Sequence, residues 1–160
     1  MRPVHPLLVH FPIALLFLSV AADLVAFFTT SASLRDTGWW ALIGAALGGV
    51  VTVAAGLFDM RRAPLEEDVH HLVHQHMKVG LALLVAILGL TFWRWTVYRQ
   101  PNRPVSAVYL DVALLTMGFA GFQGWLGGEL VYSHGVFVQA AAPRAAAKGD
   151  PKPAKSTHHH

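Results

Sequence analysis

Ten of the 160 residues are histidine, in a chain where Asp, Glu, Lys and Arg together make up only 13%. Seven of them, His5, His10, His70, His71, His74, His76 and His134, lie at the ends of long apolar segments. Imidazole can ligate a transition metal or a haem iron, or carry a proton near neutral pH. Several histidines gathered at one membrane boundary are therefore the chain's main chemical resource. His158, His159 and His160 read as the remnant of a purification tag and carry no weight.

What positions them is a set of four apolar segments. These run from about residues 11 to 28, 38 to 58, 77 to 95 and 108 to 126. Each is near the ~20 residues that cross ~30 Å of hydrocarbon. Backbone groups in lipid must bond to one another, so the segments are predicted to be helices. The expected fold is all-α, an integral membrane four-helix bundle over residues 1–139. An Ala/Pro/Lys-rich tail, 140–160, is expected to be disordered. The composition agrees, being 54% hydrophobic with a mean hydropathy of +0.47. There is no cysteine, which excludes disulfides, thiolate zinc sites, cysteine-ligated iron–sulfur clusters and covalent c-type haem. The +3 formal charge owes much to the tail, and no nucleic-acid surface is expected.

Four crossings put the N-terminus, the 59–76 connection and the C-terminus on one face, together with all seven histidines. The other face takes the 29–37 and 96–107 connections, with Trp39, Trp40, Trp93, Trp95, Tyr98 and Tyr109 as an interfacial belt. Arg2, Arg61, Arg62, Lys78 and Arg144 fall on the histidine face, and Arg35, Arg94, Arg99 and Arg103 on the other. This count leaves the orientation across the membrane open.

Four constellations stand out. His5 and His10 lead into the first helix, with Pro12 in its first turn, where a missing N–H costs nothing. In the run from His70 to Gly80, His74 and His76 point roughly 200° apart on a helix, so both cannot face the interior. One division turns His76 inward with Gly80 beneath it, leaving room for a flat macrocycle. His70 and His71 read as solvated. The third constellation is Gly118, Gly121, Gly124 and Gly127, a small-residue ridge that permits close approach of a helix or a porphyrin. Gly44, Gly48 and Gly49 form a similar face on the second helix. The fourth is His134, a second ligand or a gate, with Glu129 and Asp59 near enough in sequence to orient imidazole N–H groups. Asp23 and Asp111 fall inside apolar segments near the opposite face. They are expected to face inward, to meet Ser or Trp donors or each other, or to belong to a proton path.

The string His5-Pro-Leu-Leu-Val-His-Phe-Pro-Ile-Ala-Leu15 resembles the opening of a bacterial membrane family known as domain of unknown function 2231. The likeness continues through Gly56-Leu-Phe-Asp59 and a histidine at the head of the third helix. It closes with Gly127-Gly-Glu-Leu-Val-Tyr-Ser-His-Gly135, spanning residues 5 to 138 or so. The histidine-rich run 70–76 departs from the family pattern, which has fewer histidines there. The resemblance implies a multi-pass protein of the bacterial inner membrane. Some members are joined to Rieske-type or cytochrome c-type modules, which implies a redox setting.

Three functions follow as expectations. The first is a redox subunit binding haem b. His10, His76 and His134 are its candidate ligands, Gly80, Gly121 and Gly124 its ring surface, and Arg61, Arg62 and Lys78 its propionate partners. The second is a zinc or copper site among His5, His10, His74, His76 and His134, with Met77 as a soft donor for copper. The third is a structural subunit of a larger membrane complex. No serine or acidic pair stands in a nucleophilic arrangement, so the one hydrolytic option is a histidine-bound zinc hydroxide.

Overall fold

In a computed structural model the protein is described for residues 8–62, 67–98 and 104–132. Among these residues there are four helices: α1 (His10–Thr29), α2 (Ala32–Arg62), α3 (Glu67–Tyr98) and α4 (Ala107–Tyr132). All four are long and apolar enough to cross a membrane. The 20 residues of α1 rise about 30 Å, one hydrocarbon thickness. The helices form a closed ring in which α1 packs on α2, α2 on α3, α3 on α4 and α4 back on α1. The predicted tail beyond residue 139 lies outside the described residues.

The first connection is much shorter than the nine residues expected from the apolar pattern. Only Thr30 and Ser31 separate α1 from α2. Thr30 caps α1 in the left-handed region at φ 55°, and its N–H reaches the Ala26 carbonyl at 2.8 Å. A β-branched residue is strained there, and the tight reversal holds it. Ser31 opens α2, its carbonyl accepting from the Arg35 N–H at 3.2 Å. The polar run 33–37 is therefore helix, not loop. Ser106 opens α4 in the same manner, its carbonyl accepting from the Leu110 N–H at 3.1 Å, and its hydroxyl accepts from the Tyr109 N–H at 3.2 Å. The third helix starts at Glu67, well before its apolar stretch.

Each helix turns one seam inward, and each seam alternates steps of four and three residues, the 3.5-residue repeat of left-handed bundles. On α1 it is Pro12, Leu16, Ser19, Asp23 and Ala26. On α2 it is Gly38, Leu42, Ala45, Gly49, Thr52 and Gly56. On α3 it is Val73, His76, Gly80, Leu83, Ile87, Leu90 and Arg94, and on α4 Tyr109, Ala113, Thr116, Ala120, Gln123 and Gly127. Large apolar side chains such as Phe17, Leu47, Val85 and Leu115 point outward. That is how a bundle meets lipid, where apolar burial does not drive helices together and small seams and polar contacts do.

The glycines record the register. A Cβ on Gly44 would meet Leu15, and one on Gly48 would meet Phe11 and Pro12. The second helix thus uses its small face to bring α1 close. The ridge on α4 behaves otherwise. Gly118, Gly121 and Gly124 have open space where a Cβ would stand, whereas Gly127 abuts His76. A period of three drifts about 60° per step against a 3.6-residue helix. The ridge therefore winds around α4, and only its last glycine reaches the seam.

Candidate functional site

Alternating helix direction gathers His10, Arg61, His71, His74, His76, Lys78 and Glu129 at one end of the ring. The seam then sorts them. His10, Arg61, His71 and Lys78 are exposed. His74 is half-buried and lies off the cavity wall, while His76 and Gly80, on the seam of α3, line it. His5 and His134, and the side chains of Arg62 and His70, lie outside the described residues. Gly121 and Gly124, expected as a cofactor surface, face away from the histidines for the phase reason given above.

His76 has a partner that the sequence reading passed over. Gln123 Nε2 stands 3.2 Å from each ring nitrogen of His76 and 3.0 Å from its main-chain carbonyl. One amide hydrogen goes to the carbonyl, and the amide nitrogen stands against the imidazole, equally distant from both ring nitrogens. The pair is held tightly. A Cβ on Gly80 would come within 2.9 Å of Gln123 Nε2, and one on Gly127 within 3.1 Å of His76 Cε1. Glycine at both places lets the imidazole and the amide lie flat between α3 and α4. Gly80→Ala should push Gln123 off the imidazole and cost about 1 kcal/mol, one buried hydrogen bond. Nitrogen NMR of the His76 ring in bilayers checks this. An unchanged ring spectrum would show that the contact is not what Gly80 protects.

Beside this pair lies a cavity of about 70 Å³, walled by all four helices and lined mainly by apolar groups such as Leu16, Leu83, Ile87 and Ala120. Thr52 and Gly49 of α2 complete the wall next to His76 and Gln123. Sites for cofactors and drug-sized ligands usually enclose ~300–1,000 Å³. A macrocycle does not fit between these side chains as they stand. Among the described residues no three His, Asp or Glu converge as a metal site requires.

The far end of the bundle holds the most polar part of the interior. Asp23 of α1 and Arg94 of α3 form an ion pair at 2.5 Å, their side chains 1% and 3% exposed. Arg94 also donates to the Arg35 carbonyl of α2 at 3.3 Å. Its guanidinium lies over the Tyr109 ring of α4, 5.4 Å from the centroid, and the Tyr109 hydroxyl interacts with Asp23. Trp93 meets the same ring edge-on at 5.9 Å. Next to them Ser19 Oγ donates to the Gly38 carbonyl at 2.8 Å. All four helices thus contribute to one cluster.

The far end corrects three expectations. Arg94 is not a charge at the membrane surface but a buried counter-ion. Asp111 is exposed and has no part in the cluster, so the two aspartates do not pair. Tyr109 and Trp39, expected in the aromatic belt, are turned inward, while Trp40, Trp93 and Trp95 remain on the outside. The signal that could have found Arg94 and Gln123 is the seam itself, because both continue the four–three spacing through otherwise apolar or small positions.

The family model described as "Predicted membrane protein (DUF2231)" matches residues 1–140. The chain belongs to this family. No curated protein and no solved structure matches it. The family match covers all four helices, so the His76–Gln123 pair, the cavity and the Asp23–Arg94 cluster all lie within the DUF2231 portion.

Proposed function

We propose that this DUF2231 protein is a redox subunit of the bacterial inner membrane that holds haem b at its histidine end. Electrons would pass to or from a Rieske-type or cytochrome c-type partner. The observation that supports the reading is His76, an imidazole on the inner wall of the bundle that abuts Gly127 and shares the cavity wall with Gly49 and Gly80. A second ligand would come from His10, or from His5 or His134 outside the described residues. Lys78 and Arg61, exposed at the same end, suit propionates. Haem supplies one-electron chemistry, and the protein supplies ligation and charge. The cavity sets a condition on this reading. A ring at His76 has to displace Gln123 and find room beyond the 70 Å³ between the helices. A zinc or copper site would face the same condition, since His76 is the one histidine of the described set on that wall.

Purified protein should show a Soret band that shifts on reduction with dithionite, and His76→Ala should abolish it. Colourless protein without extractable haem would overturn the reading. Stoichiometric zinc or copper in that colourless protein would favour the histidine metal site instead.

A second reading, a structural subunit of a larger membrane complex, draws on the outward turn of Gly118, Gly121 and Gly124. Small residues open to lipid allow another helix to approach closely. In this reading Gly121→Leu leaves the isolated bundle folded, within ~0.5 kcal/mol as for other surface changes, but shifts the complex to smaller species on native gels. An unchanged gel pattern would remove the support.

A further inference from the structure

We propose that the cavity beside His76 is a hydration site inside the membrane, holding ordered water between α2, α3 and α4. The inference starts from Gln123. Its Nε2 is engaged by His76, but its Oε1 is buried and has no hydrogen-bond partner among the described residues. Gln123 as a whole is 8% exposed and lies on the cavity wall. An amide acceptor in an apolar setting without a partner is costly, and buried polar groups in proteins are satisfied by protein or by water.

The amide cannot rotate to solve the problem. Turning Oε1 toward the His76 carbonyl would set two acceptors face to face at the 3.0 Å now bridged by a donor. The remaining source of a donor is the cavity whose wall Gln123 helps to form.

Size identifies it. The cavity holds about 70 Å³, roughly half the ~150 Å³ of a dry cavity that accepts benzene and more than the ~10–15 Å³ that admits a water. Ordered water fits it better than an aromatic ring does. Buried water also needs two to four polar partners. Three polar side chains line this cavity, one from each of three helices: Thr52, His76 and Gln123. A hydroxyl can donate once and accept twice, so Thr52 can serve water besides its other contact. Such water would give His76 a route for proton exchange that runs inside the bundle. The proposal concerns the arrangement in which Gln123 stays on His76, which a ring at His76 would displace, and the measurements below do not use the absorption spectrum.

The test is water-edited solid-state NMR on the full chain, nitrogen-labelled, in lipid bilayers. The Gln123 side-chain amide, assigned by its loss in Gln123→Met, should receive magnetisation from water as quickly as that of exposed Gln75. Build-up as slow as at the backbone amide of buried Leu42 would overturn the proposal. A second measurement covers water that reaches Gln123 only from the mouth. A dry apolar cavity takes up xenon, so the signals of Leu83 and Ala120, deeper on the wall, should not shift under xenon pressure. Xenon shifts at those residues would mean a dry cavity and would equally overturn it.

Discussion

Arg94→Ala is expected to destabilise the bundle by about 3–5 kcal/mol, because it strands a buried charge. Asp23 is 1% exposed, and Arg94 is its one ion-pair partner among the described residues. Removing the guanidinium leaves the carboxylate facing apolar groups, with only the Tyr109 hydroxyl to meet it. Asp23→Ala is expected to be comparably severe, since it leaves Arg94 with the Arg35 carbonyl and the Tyr109 ring alone. The double replacement Asp23→Leu with Arg94→Met should recover most of the loss, because it removes both charges and fills the space. Unfolding by SDS titration in mixed micelles measures all of these. The coupling within the cycle carries the decision. If Arg94→Ala costs under 1 kcal/mol, or the double variant is worse than either single, the pair does not hold the far end together.

Gly38→Ala should cost about 1–3 kcal/mol, the usual range for overpacking. In most helices this change is favourable by roughly 0.5–1 kcal/mol. Here the added Cβ would stand 2.5 Å from Asp23 Oδ1 and 2.8 Å from its Cγ. The carboxylate cannot retreat, being clamped to Arg94. The helix backbone would have to move instead, and the Ser19 bond to the Gly38 carbonyl would move with it. Gly118→Ala is the matched control, since its Cβ meets open space and should show the ordinary gain. Neighbouring effects of this kind are non-additive. In an Asp23→Ala background, Gly38→Ala should therefore lose most of its penalty. A Gly38→Ala protein as stable as the parent would mean that α1 and α2 do not approach as described.

The two ends of the bundle differ in how far the residues announce their roles. His76 and Gly80 sit four apart, so their shared face follows from helix geometry, and the inward side is one of two choices. Gln123 and Arg94 carried no such hint when judged by residue type. Gln123 stood among glycines and Arg94 between two tryptophans of the belt. Each becomes legible once the four–three seam is followed along its helix. From His76 through Gly80, Leu83, Ile87 and Leu90 the spacing leads straight to Arg94. From Tyr109 through Ala113, Thr116 and Ala120 it leads to Gln123. The opposite error came from the glycines of α4, whose regular spacing is a period of three and not of three and a half. Regularity alone does not make a face.

The sequence by itself determined the four crossings, the ring's alternating directions and the gathering of histidines at one end. These follow from local properties. Hydrocarbon thickness fixes how many apolar residues a span needs, and strict alternation fixes which ends are neighbours. Only the tertiary structure decided that His76 meets Gln123, that Asp23 meets Arg94 and not Asp111, and that three of the four ridge glycines face out while Gly127 meets His76. Those pairings rest on the relative phase of helices far apart in the chain. The α3–α4 register that sets His76 against Gly127 and Gly80 against Gln123 also brings Arg94 to Tyr109 at the other end. The histidine cluster is thereby reduced, among the described residues, to one imidazole on the inner wall. In lipid the register is chosen by small seams and by the few polar contacts that must be satisfied within the bundle.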